Sequence, residues 1–235
     1  MKDQTIKFFD SQGVDAAIKL LRAGQGSLAP DEQIQAFDQV LRHAYWKHKD
    51  LPGAIQIGQA GIALGEQLGA KFPEKADKIM SQVKGIHYNL ASFTWPGWDE
   101  PDIKITSEQV QLGLAAAREN FRLAIELKKD ALPLSRACWM LGALEMAVKD
   151  YSSAIDHFYQ AEQFAEQAVS REGPHQGSGE ALLARGFAQL ASLLAKPGGP
   201  KISYDLDKTK IALASLESGE FFIKQIDDAW RVFRD

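Results

Sequence analysis

Apolar residues recur at spacings of three and four along most of the chain, the signature of helices that each bury one face. Ile34, Phe37, Val40, Leu41, Ala44 and Tyr45 form one stripe, and Ala76, Ile79, Met80, Val83, Ile86, Leu90 and Phe93 a second. Val110, Gly113, Ala117, Phe121 and Ala124 form a third. The clearest is Tyr151, Ala154, Ile155, Phe158, Ala161, Phe164, Ala165 and Ala168. Nowhere does strict alternation run over a strand length, so the fold class is all-α. The spacing predicts helices near 13–23, 31–48, 52–69, 74–94, 107–128, 133–148, 151–170, 179–195, 206–216 and 219–233.

Proline marks the boundaries, because inside a helix it removes a hydrogen bond and clashes with the preceding turn, whereas the first turn tolerates it. Pro30, Pro52, Pro73 and Pro133 precede helical patterns, and Pro96, Pro101, Pro174, Pro197 and Pro200 fall in stretches that read as loops. Thr106 with Gln109 supplies a capping box, and Asp50 and Asp150 are N-cap candidates. Short connections imply that consecutive helices pair as antiparallel hairpins.

One such pair carries more than periodicity. Leu141-Gly142 in one helix and Tyr151, Ala154, Phe158 and Ala161 in the next, separated by Lys149-Asp150, resemble the tetratricopeptide repeat. Glu145 falls where that family prefers an aromatic or aliphatic residue. Tyr88-Asn89-Leu90-Ala91 is similar to the family's Tyr-Asn-Leu-Gly; Gly113 and Ala116 follow at matching places, with Gln109 where alanine is expected. Leu41, Tyr45, Lys49-Asp50-Leu51, Ala54, Gly58 and Gly61 give a third unit. The resemblance implies a single domain over 1–235, a right-handed α-solenoid of antiparallel helical hairpins. Its repeat-like core is at about 31–170, its insertion loop at 94–106 and its terminal capping helices at about 179–233.

Glycine usage points the same way. A helical glycine costs about 1 kcal/mol relative to alanine. Yet Gly58, Gly61, Gly65, Gly85, Gly113, Gly142 and Gly186 all lie inside predicted helices. Close approach of neighbouring helices offsets that cost; a ligand groove lined by Gly58, Gly61 and Gly65 is the alternative.

Composition narrows the function classes. The 235 residues are 45% hydrophobic and 25% charged, with a net charge of −4, as in ordinary globular proteins. The basic residues are scattered, which disfavours a nucleic-acid partner. No stretch approaches the roughly 20 apolar residues of a membrane span. Residues 1–12 lack the apolar run of a signal peptide, so a cytoplasmic protein is expected. The one cysteine, Cys138, reads as a buried small hydrophobe.

The insertion Phe93-Thr94-Trp95-Pro96-Gly97-Trp98-Asp99-Glu100-Pro101-Asp102 is the main candidate for binding. Two tryptophans beside three carboxylates combine contact area with an acidic edge, suited to a basic or aromatic peptide. Alternatively the tryptophans fold inward and cover a gap between hairpins. His87, Tyr88 and Asn89 lie on the helix feeding the loop, and the resemblance implies that they and Trp139 line a concave groove.

His43, His48, His87, His157 and His175 show no recognised ligand spacing, so neither metal nor cofactor is expected. Asp156-His157 reads as surface. Gly24-Gln25-Gly26-Ser27 and Gly177-Ser178-Gly179 lack the P-loop ending and read as turns.

The leading expectation is therefore a non-catalytic scaffold binding a protein or peptide segment through Trp95, Trp98 and Trp139, with Asp99 and Glu100 selecting positive charge. Two alternatives stay open. One is a helical enzyme or sensor using His87 with Asp99 or Glu100. The other is a homo-oligomeric structural subunit, in which the apolar last helix, Phe221 to Phe233, mediates self-association instead of capping the array.

Overall fold

The computed structural model describes residues 2–23, 28–172, 178–196 and 200–234. Gly24, Gln25, Gly26, Ser27, Pro174, His175, Gly177 and Pro197, assigned above to turns or weighed as ligands, lie outside them. Among the described residues the chain is all-helical, with ten α-helices and no strand. Contacts between neighbouring helices group them into two compact units, Met1–Thr94 and Trp95–Asp235.

The first unit contains α1 (Lys2–Ala23), α2 (Pro30–His48), α3 (Leu51–Lys71) and α4 (Ala76–Phe93). The predicted stripe of α2 is buried in full, and α4 buries Ile79, Val83, Ile86, Leu90, Ala91 and Phe93. Both helices pack on α3, whose glycine face lets them approach closely. A β-carbon on Gly65 would lie 2.2 Å from Val83 Cγ2, and one on Gly61 would lie 2.8 Å from Phe37 Cβ. The glycines are therefore helix contacts, as the packing argument expects. Gly85 is an exception, with open space where its β-carbon would be.

Helix α1 starts at Lys2, well before the expected residue 13. Thr5 and Phe9 are buried together with Ala17, Ile18 and Leu21. The apolar spacing breaks at Gly13, where φ is 79° and ψ −171° and the helix kinks. This backbone region is essentially restricted to glycine.

The second unit contains a 3-10 turn (Pro96–Trp98) followed by α5 (Ser107–Glu126), α6 (Ala131–Ala147), α7 (Tyr151–Glu172), α8 (Ser178–Ala195), α9 (Pro200–Ala214) and α10 (Gly219–Phe233). Helix α6 is its centre: every residue from Ala137 to Met146 is buried, as its all-round apolar sequence dictates. It packs against α5, α7 and α8, and α8 also meets α9 and α10. Helix α9 starts at Pro200, earlier than the expected 206, because proline fits a first helical turn.

The helix junctions reuse one local design. Lys49, Lys128 and Lys149 adopt positive φ of 53°, 48° and 65°, closing α2, α5 and α6. After α5 and α6 the last carbonyls are closed by Lys128 N–H to Ile125 O and Lys129 N–H to Ala124 O, and by Lys149 N–H to Met146 O and Asp150 N–H to Glu145 O. This is the Schellman pattern with lysine in the position glycine usually holds. Asp50 then accepts from Gly53 N–H at 2.9 Å and Asp150 from Ser153 N–H at 3.3 Å, capping α3 and α7. The capping box of Thr106 and Gln109 opens α5.

Candidate functional site

The eight residues expected to bind a partner are divided between the two units. His87, Tyr88 and Asn89 lie half-buried on α4 of the first unit. Asn89 Nδ2 donates to Asp38 Oδ1 at 2.5 Å, and Asp38 also pairs with Arg42 at 3.1 Å. Burial pushes the Asp38 carboxyl above its ordinary value, against the opposing pull of Arg42 and Asn89.

Trp95, Trp98, Asp99, Glu100 and Trp139 belong to the second unit, where the three tryptophans meet. Trp95 stacks edge-to-face on Trp98 at 4.7 Å and on Trp139 at 5.4 Å. Trp139 continues to Phe187 at 4.9 Å, and Phe187 to Phe158 at 5.4 Å. Trp95 is fully buried and Trp139 is 7% exposed. Neither can serve as a surface anchor: a large aromatic ring among other rings gains more from burial than from display. Gly97 permits this inward fold, since a β-carbon there would lie 2.3 Å from the Trp95 ring.

Asp99 is exposed, with φ of 50°. Its carboxylate accepts from Arg231 Nη1 at 2.8 Å. Arg231 also reaches Asp228, and α10 packs against the Pro96–Trp98 turn. The acid expected to select a basic partner thus already has a guanidinium from its own unit beside it.

Sequence reasoning missed two polar arrangements in this unit. Glu145, the residue out of place in the repeat pattern, is buried on α6, with its Oε2 2.6 Å from His157 Nδ1. That hydrogen bond, outweighing partial burial, raises the His157 pKa above its ordinary value. His157 is therefore half-buried and paired, not a simple surface residue. Cys138 lies nearby, donating to His157 O at 3.2 Å and Gln160 Oε1 at 3.3 Å. Burial pushes its thiol up to about 12, so it is a poor nucleophile.

The second arrangement is a groove of about 410 Å³ between α7 and α8, lined by Tyr159, Glu162, Gln163, Glu166, Arg185 and Gln189. Glu162 is 8% exposed and is held by Arg185, whose Nε donates to Oε1 at 2.7 Å. Glu166 Oε1 lies farther from Arg185, at 3.6 Å, and its side chain is 57% exposed. Gln189 Oε1 is buried with no donor among the described residues. Tyr159 is an exposed aromatic at the groove.

The groove arises from polar residues spaced four apart: Tyr159 and Gln163 form one row on α7, Glu162 and Glu166 another, and Arg185 and Gln189 line it from α8. In the sequence these rows are simply the polar side opposite the α7 stripe. Chemically the groove offers an exposed carboxylate only loosely paired with Arg185, an amide acceptor and an aromatic ring to a donor-bearing ligand. No described helix is long and apolar enough to cross a membrane. Comparison with family models, with curated proteins and with solved structures found no match to this chain.

Proposed function

We propose that this chain is a non-catalytic scaffold of stacked helical hairpins, resembling tetratricopeptide repeats, that holds a peptide or protein segment. The segment presents a lysine or arginine side chain to the α7–α8 groove. The observation that carries this reading is the buried Gln189 Oε1, without a donor among the described residues, in an open groove that Glu166 also lines. An orphaned buried acceptor costs about 1–3 kcal/mol, and a ligand donor recovers that cost. The exposed Glu166 carboxylate adds charge complementarity for a cation, and the exposed Tyr159 ring at the groove suits an arginine or lysine. Packing of adjacent helices across glycine faces supports the hairpin array, and the inert Cys138 thiol supports a binding role over nucleophilic chemistry.

An array of immobilised peptides with arginine or lysine at varied positions tests the reading. The wild-type chain should be retained by a subset of basic peptides. Glu166→Lys should weaken that retention by about tenfold, the equivalent of one charged hydrogen bond. Absence of any basic-peptide preference, or equal retention of the variant, would remove the proposal.

A further inference from the structure

We infer that Asp10, His43 and His48 form a binding site for a borderline divalent metal ion of the zinc class, built where α1 crosses the last turns of α2. The two histidines lie five residues apart on one helix, outside any familiar ligand spacing, and Asp10 comes from another helix. Yet His43 Nε2 lies 2.7 Å and His48 Nε2 2.8 Å from the same oxygen, Asp10 Oδ1. Among the described residues this is the group of histidine and carboxylate donors that gathers tightly enough to hold an ion, all within 4.8 Å of one another.

The donor set is that of a zinc site: two imidazoles and a carboxylate, with the remaining position left to water. Tetrahedral coordination at about 2.0–2.1 Å sets neighbouring ligand atoms about 3.3 Å apart, so an ion needs the donors to open by roughly half an ångström. The Asp10 and His48 side chains are 30% and 37% exposed, which gives an ion access, while His43 at 14% is anchored more deeply. Metal binding replaces the hydrogen bonds that now join the three groups with stronger coordinate bonds.

Three local features hold the donors in place. Phe9 packs edge-on against both imidazoles, at 5.8 Å from His43 and 5.4 Å from His48, which fixes the ring planes. The glycine-only conformation at Gly13 kinks α1 three residues beyond Asp10. His48 is the last residue of α2, where the helix dipole favours a cation.

Lys47 is the opposing charge, with Nζ 3.2 Å from Asp10 Oδ2. Its side chain is 61% exposed, so it can stay on the outer oxygen while Oδ1 ligates, or move into water. In either position the ion would fasten the start of α1 to the end of α2.

The test uses tag-free full-length chain, titrated calorimetrically with zinc(II) and spectroscopically with cobalt(II), whose visible bands report tetrahedral coordination. The wild type should take up one equivalent and develop those bands. Asp10→Asn, His43→Gln and His48→Gln should each bind roughly tenfold or more weakly, a loss that even an outer-sphere partner can cause. Helical circular dichroism should stay unchanged. No saturable uptake by the wild type, or binding that persists undiminished in all three variants, would overturn the inference. The wild-type cobalt spectrum decides the matter even if a variant misfolds.

Discussion

The Trp95–Trp98–Trp139 cluster and the α7–α8 groove belong to the same unit and contrast in burial and polarity. The cluster is dry, with ring-to-ring contacts and Trp95 wholly buried. The groove is open and lined by charged and polar residues, and its buried Gln189 Oε1 has no donor among the described residues, just as the buried Trp95 and Trp139 Nε1 groups of the cluster have no acceptor among them. Abundant aromatic surface near an acidic loop suggests recognition on paper, but burial claims such rings first. The proposed recognition surface is instead the pair of polar rows on α7 opposite its apolar stripe.

The largest expected effect separates the two directly. Trp95→Ala should lower unfolding stability by about 3–5 kcal/mol, the usual cost of emptying a packed aromatic site, as read from urea denaturation. Unchanged stability together with lost partner binding would reverse the contrast.

A smaller effect concerns the Glu145–His157 pair, which unlike the groove has its polar groups satisfied. Glu145→Ala should cost about 1–3 kcal/mol at about pH 6. The His157 pKa is raised in the native state. Its contribution is therefore complete below its ordinary value of 6.5, and is lost as pH rises through the higher native value. The variant's deficit should accordingly shrink as pH is raised through the native His157 value. Urea midpoints for both chains across this range check the sign, and a deficit that grows with pH would contradict it.

The smallest effect is expected at Asp99. Its pair with Arg231 joins side chains 45% and 59% exposed. Such pairs contribute about 0–1 kcal/mol. Asp99→Asn should therefore leave thermal unfolding nearly unchanged, whereas a large loss would make the loop–α10 contact a principal support of the second unit.

Periodicity made the helices legible because burial of one face imposes it: the stripes on α2, α4 and α7 and the caps at Asp50, Thr106 and Asp150 could be read directly. Gly61 and Gly65 were legible for a related reason, since only close helix contact offsets their helical cost. The start of α1 was hidden by Gly13, which interrupts the spacing without ending the helix. Sites were less legible because their residues converge only after folding. Asp10 meets His43 and His48 across 33 and 38 positions, and Arg185 reaches Glu162 across 23. Glu145 was visible as an anomaly, but its partner His157 was not, because one turn of α7 presents both core and surface.

The most direct measurement is the affinity of one array-selected basic peptide for the wild type, Glu166→Lys and Trp98→Ala, taken side by side by fluorescence anisotropy. If the α7–α8 groove is the recognition surface, Glu166→Lys loses about tenfold in affinity and Trp98→Ala stays within about twofold. The opposite order, with the tryptophan variant losing the peptide and the charge reversal keeping it, would return recognition to the aromatic loop and contradict the account.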